Sequence, residues 1–107
     1  MGRDRLHRVC EYIDANTLAG VLSLDELAGV AGLSRFHFIQ AFKRETGMTP
    51  HQYVMQSRVK LAKRLITSAR MSLAEIGSAA GFGSHYHFTN YFRRVTGVTP
   101  LQFQRQI

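Results

Sequence analysis

SRFHFIQAFKRETGMTP, Ser34 to Pro50, returns as SHYHFTNYFRRVTGVTP, Ser84 to Pro100. Ser34, Phe38, Phe42, Arg44, Gly47 and Pro50 fall on Ser84, Phe88, Phe92, Arg94, Gly97 and Pro100 at an offset of 50. Upstream, Leu24, Leu27, Ala31 and Gly32 fall on Leu73, Ile76, Ala80 and Gly81 at an offset of 49, so the second copy's turn, GFGS against GLS, holds one extra residue. Two copies are too few for a solenoid, in which each unit leans on several neighbours.

Apolar residues recur at three-to-four spacing, as in Leu6, Val9, Cys10 and Ile13 and then Leu24, Leu27, Ala28 and Ala31. That is helical periodicity, and strand alternation is missing. Ser23 with Glu26 and Ser72 with Glu75 spell S-x-x-E ahead of an apolar run, the pattern of an N-cap whose glutamate bonds back to the cap amide. Ser34 and Ser84 are further N-caps, and Thr49-Pro50 and Thr99-Pro100 put a capping threonine before a proline at the first helical position. Gly47 and Gly97 are C-terminal caps.

The spacing predicts an all-α chain of about seven helices, at 3–16, 24–31, 35–46, 50–67, 73–80, 85–96 and a short one from 100. In each copy a short helix ends in Ala-Gly, a brief turn follows, and a second helix opens on serine, which is a helix-turn-helix in outline. The expected organisation is a helix-turn-helix subdomain at 1–49, a long linker helix at 50–67 and a second helix-turn-helix subdomain at 68–107.

Placed on a helix at about 100° per residue, Phe36, Ile39, Gln40 and Lys43 share one arc, with Phe38, Ala41, Phe42 and Glu45 opposite. The second copy sets Tyr86, Thr89, Asn90 and Arg93 against Phe88 and Phe92. One face can be core, so the other must meet something else. Amides pair bidentately with adenine, aliphatic, aromatic or threonine-methyl surface touches the thymine methyl, and Lys or Arg bonds guanine or phosphate. Base reading is therefore expected of Phe36, Ile39, Gln40, Tyr86, Thr89 and Asn90. Phosphate contacts are expected of Arg35, His37, Lys43, Arg44, His85, His87, Arg93 and Arg94, and of Ser34 and Ser84 at helix N-termini, whose free amides favour anions.

Composition agrees. Lys and Arg number 14 against 7 Asp and Glu, a formal +7 on 107 residues, which favours a phosphate-rich partner. Charge alone equally fits an acidic protein or a membrane surface, so a helical protein-interaction module, an anti-activator of the same fold that does not bind DNA, is the competing reading. The single Cys10 cannot form an internal disulfide and fits a reducing cytosol. No segment reads as a membrane span or signal peptide, so no membrane partner and a cytoplasmic location are expected.

An enzyme is not expected. None of His7, His37, His51, His85 and His87 pairs in H-x-x-x-H spacing around a carboxylate, and His85 and His87 diverge by about 200° on a helix, so neither a metal site nor a cofactor is predicted. Cys10 lies on an apolar stripe, and GFGS lacks the preceding strand and the full spacing of a nucleotide loop.

The layout resembles the DNA-binding domain of AraC/XylS-type transcription regulators over essentially the whole chain. The Gly-Phe turn, aromatic-rich helix and G-x-T-P close of that family match AAGFGSHYHFTNYFRRVTGVTP, and its linker-helix pattern matches Arg58, Ala62, Leu65 and Ile66. Ile66 stands where leucine is common, and Phe103 where tyrosine is common. The resemblance implies that helices 35–46 and 85–96 enter successive major-groove segments of double-stranded DNA and that the six base-reading residues named above match the family's. Arg58 is expected to belong to the scaffold, since it lies beside the apolar stripe Val54, Leu61, Ala62 and Leu65. A linker of about 18 residues is about 27 Å long, against about 34 Å between successive turns of one groove face. A monomer on an asymmetric site is expected, with RNA polymerase a further partner. Many members carry an N-terminal ligand-sensing domain, so two readings stand: a stand-alone regulator controlled by abundance or, the favoured expectation, a fragment of a longer regulator.

Overall fold

The computed structural model describes residues 1–16, 23–68 and 70–107. Among them the chain is helices and connections: α1 (Arg3–Asn16), α2 (Leu24–Ala31), α3 (Arg35–Thr46), α4 (Pro50–Ser68), α5 (Leu73–Ala79), α6 (His85–Thr96) and α7 (Pro100–Arg105). The ends agree with the sequence reading to within one residue. α4 runs one residue past the expected 67, and there the Ser68 hydroxyl donates to the Arg64 carbonyl at 2.6 Å.

Each later helix starts where a hydroxyl satisfies an amide that has no partner within its own helix. Ser23, Ser34, Ser72, Ser84 and Thr99 accept from the amides of Glu26, His37, Glu75, His87 and Gln102. Such caps contribute about 1 kcal/mol each. The reciprocal bond forms at Ser72, whose amide donates to Glu75. It does not form at Ser23, and this corrects the sequence reading: the Glu26 carboxylate accepts instead from the Tyr12 hydroxyl of α1 at 2.7 Å. Two capping boxes went unpredicted, because the glutamine of T-P-x-Q closes them: the Thr49 and Thr99 amides donate to Gln52 and Gln102 at 2.9 and 2.8 Å.

The chain divides into two compact units, Met1–Ser57 and Arg58–Ile107, with α4 contributing to both. In the first, Val9 and Ile13 of α1, Leu27, Ala28 and Ala31 of α2, Phe38 and Phe42 of α3 and Val54 of α4 form the core. Polar ties hold its helices in place: Tyr12 to Glu26, Arg35 to Asp25, and the Ser57 hydroxyl donating to Asp14 at 2.8 Å. In the second unit Ile76, Ala80, Phe82, Phe88 and Phe92 are buried. Phe42 meets Tyr53 edge-on at 5.6 Å between ring centroids, and Phe92 meets Phe103 likewise at 5.6 Å, so the repeat extends to ring geometry.

The repeated T-G-x-T-P is explained by backbone chemistry. The Thr46 hydroxyl donates to the Phe42 carbonyl at 2.7 Å and accepts from the Met48 amide at 3.1 Å, stitching the end of α3 to the turn through Gly47. Thr96 repeats this with Phe92 and Val98. Gly47 and Gly97 take φ of 77° and 88°, left-handed values that glycine adopts without steric cost.

Candidate nucleic-acid interface

Each helix-turn-helix is closed by the same backbone device. The Leu33 amide donates to the Ala28 carbonyl at 3.0 Å, the Phe82 amide to the Gly77 carbonyl at 2.9 Å, and Gly32 and Gly81 take positive φ just before them. The extra residue of the second copy is thus Gly83, an exposed residue after Phe82. Both turns deliver the chain to a serine cap in extended conformation, Ser34 and Ser84, from which α3 and α6 start.

The two helices present their faces as the arcs require. Phe38, Ala41 and Phe42 of α3 are buried, while Phe36, Gln40 and Lys43 are exposed and Ile39 is half-buried. In α6, Phe88 and Phe92 are buried, Tyr86 and Arg93 are exposed, and Thr89 and Asn90 are half-buried. Glu45, placed on the core side by periodicity, is exposed near the end of α3. Phe36 and Tyr86 are 65% and 80% exposed. Fully burying a phenylalanine is worth about 1.5–3 kcal/mol, so the fold forgoes that gain at the same position twice. Ile39, Gln40, Lys43 and Arg44 line an open depression on α3, and Tyr86, Asn90, Arg93 and Arg94 line one on α6.

Histidines and arginines surround these faces. The His37 ring nitrogen Nδ1 lies 2.8 Å from the Ser34 hydroxyl, and the ring packs edge-on against Phe36. His85 leans on Phe88, and His87 sits between Phe82 and Tyr91. Arg94 lies over the Tyr91 ring at 5.8 Å, and Arg44 is exposed. Arg35 is engaged: Nε and Nη2 donate to the two carboxylate oxygens of Asp25 at 3.0 and 2.8 Å. The hydrogen bonds and charge of Arg35 hold the Asp25 carboxyl below its ordinary range, and Asp25 raises Arg35 in turn. Sequence reading missed Asp25, because a residue ten positions away on another helix leaves no local signal.

Arg58, assigned to the scaffold from sequence, is buried in α4 and lies against the backbone of Gly81. Burial pulls its guanidinium below the usual arginine range. Among the described residues no cluster of histidine, cysteine and carboxylates could hold a metal ion, and no helix is long and apolar enough to cross a membrane.

Two short helix pairs with capped second helices, each turning one polar and aromatic face outward, define a double helix-turn-helix module. A family model described as a helix-turn-helix domain matches residues 27–106, and the chain belongs to that family, as the DNA-binding domain of an AraC/XylS-type transcription regulator. It is 39% identical over 83 residues to a probable transcriptional regulator, LumQ, of Photobacterium leiognathi, covering 76% of this chain and 33% of that protein. It is 38% identical over 61 residues to the MmsAB operon regulatory protein of Pseudomonas aeruginosa, covering 57% of this chain and 20% of that one. The chain thus spans a third or less of these relatives. Among solved structures, an AraC-type transcriptional regulator from Chromobacterium violaceum is 30% identical, with a TM-score of 0.91 over 97% of this chain and 92% of that one. The DNA-binding domain of the global transcriptional factor AdpA, solved in complex with a target DNA, is 28% identical, with a TM-score of 0.86 over 95% of this chain and 91% of its own.

Proposed function

We propose that this domain reads an asymmetric DNA site as a monomer, with α3 and α6 each entering a major-groove segment one helical turn apart. The observation that carries this reading is the doubled outward face: an exposed aromatic, Phe36 or Tyr86, followed one turn on by an amide, Gln40 or Asn90, and then by a cation, Lys43 or Arg93. Stability of the domain alone gives no reason to expose two aromatics at matching positions, whereas base edges offer methyl groups and donor–acceptor pairs for those side chains. The complex of AdpA with its target DNA supports the same use of the fold here.

In this reading Phe36, Ile39 and Gln40 face one half-site and Tyr86, Thr89 and Asn90 the other. Lys43, Arg44, Arg93 and Arg94, with His37, His85 and His87, meet the phosphates, and the Ser34 and Ser84 caps orient helix N-termini towards them. The faces differ in chemistry, Ile39 against Thr89 above all, so the half-sites should differ in sequence. Selection of bound duplexes from a random pool tests this. Two unlike motifs about ten base pairs apart, with one chain per duplex by sedimentation, are expected, and a palindrome occupied by two chains would overturn the reading.

A further inference from the structure

The net charge of +7 is divided very unequally between the two units. Met1–Ser57 carries six cations, Arg3, Arg5, Arg8, Arg35, Lys43 and Arg44, and six carboxylates, Asp4, Glu11, Asp14, Asp25, Glu26 and Glu45, so it is formally neutral. Arg58–Ile107 carries the remaining eight cations and one carboxylate, Glu75, so the whole +7 lies there. Only Arg58 of the eight is buried, and Glu75 is tied to the amide of Ser72 at 3.3 Å.

The side-chain geometry adds to the imbalance. In the first unit Arg35, at the start of α3, has two of its donors occupied by Asp25. The matching positions of the second unit are Ala74 and His85, so no carboxylate stands in that place. An exposed carboxylate beside the N-terminus of a groove-entering helix repels phosphate and competes for the neighbouring arginine.

We infer that the two units divide the work of holding DNA. Arg58–Ile107 supplies most of the phosphate-driven grip that tolerates any sequence, and Met1–Ser57, with Arg35 retained by Asp25, adds affinity chiefly when its base contacts are satisfied. This rests on the DNA-binding reading above. Its physical logic is that affinity for any duplex grows with the number of phosphates neutralised, each adding about 0.9 to the slope of log K against log salt. A neutral unit gains little from a random duplex, so its contribution is reserved for the correct bases, and the ratio of specific to random binding rises. The charged unit makes first contact, and the neutral one decides whether the complex lasts.

The test uses the full chain and a random-sequence duplex, followed by anisotropy across a salt series. Arg93→Gln with Arg94→Gln should weaken binding at least about five times more than Lys43→Gln with Arg44→Gln, and should flatten the salt slope by about 2. Asp25→Asn should free Arg35, tighten random-duplex binding several-fold and steepen the slope by about 1. All five positions are exposed, and thermal melts check that each variant folds. Equal losses from the two pairs would overturn the division. So would an Asp25→Asn variant that binds no more tightly, since Asp25 would then be orienting Arg35 rather than retaining it. Failure of the unaltered chain to bind any duplex at low salt would instead sink the DNA-binding reading itself.

Discussion

Gly77 lies so close beneath the Phe88 ring that a β-carbon on it would stand 2.7 Å from Cδ2 and 2.9 Å from Cγ. The matching residue of the first unit is Ala28, buried in the core with Phe38, so one α2-type helix tolerates a methyl and the other excludes it. Alanine is intrinsically the better helix residue by about 1 kcal/mol, yet Gly77→Ala should destabilise the protein by about 1–3 kcal/mol, because overpacking moves the ring or the helix. Urea unfolding measures it. An unchanged or raised midpoint would mean that Phe88 yields freely and that this contact does not set the α5–α6 spacing.

The two turn glycines form an internal control. Gly32 has φ of 69° and a β-carbon there meets nothing within 4 Å, whereas Gly81 has φ of 93° and its β-carbon would lie 2.9 Å from Nε of buried Arg58. Alanine in left-handed conformation costs about 1–2 kcal/mol, so Gly32→Ala should lose about that much. Gly81→Ala should lose clearly more, since the added methyl must also displace the buried Arg58 side chain. Equal melting temperatures for the two variants would contradict this packing of Arg58.

What the sequence revealed and what it withheld divide along the range of the interactions. Ser34, Ser72, Thr99, Gly47 and Gly97 act on residues three or four positions away, and their roles as caps were legible. The amphipathic arcs of α3 and α6 were legible for the same reason, since periodicity encodes which side faces the core. Asp25 with Arg35, Glu26 with Tyr12 and Gly81 with Arg58 join residues 10, 14 and 23 positions apart, the first two across helices and the third between a turn and a helix. Which acid faces which cation there depends on helix packing, on which local pattern is silent. The Gly77 and Ala28 difference is of the same kind.

Tyr53 gives a pH-dependent prediction. Its phenol is pushed above the ordinary tyrosine range, first by burial and then by its neighbours Cys10 and Asp14. A folded-state pKa above the unfolded value means that the contribution is fully present below about pH 10. It is lost as pH rises from there through the folded value. Tyr53→Phe should keep the edge-on packing on Phe42, as Phe103 does on Phe92, and should lose less stability between pH 9 and 11 than the unaltered chain. Parallel urea midpoints across that range would show that the hydroxyl is not the group responsible.

The amides of Gln40 and Asn90 occupy matching places, fifty residues apart, on the outward faces of α3 and α6. Each side chain carries one acceptor and two donors, the complement of the N7 and N6 edge of adenine. If each reads a base, Gln40→Ala should relax preference at one position of one half-site and Asn90→Ala at one position of the other, each by about 1–3 kcal/mol of discrimination. Binding to random duplexes should stay nearly constant, because neither residue carries charge for counterion release. The fold should survive as well, since Gln40 is exposed and Asn90 half-buried, neither belonging to the core. Selection from a randomised duplex pool, run in parallel for both variants and the parent, reads the preference position by position. A uniform loss across all sequences would make the amides backbone contacts, and loss at the same position in both variants would mean that α3 and α6 do not address separate half-sites.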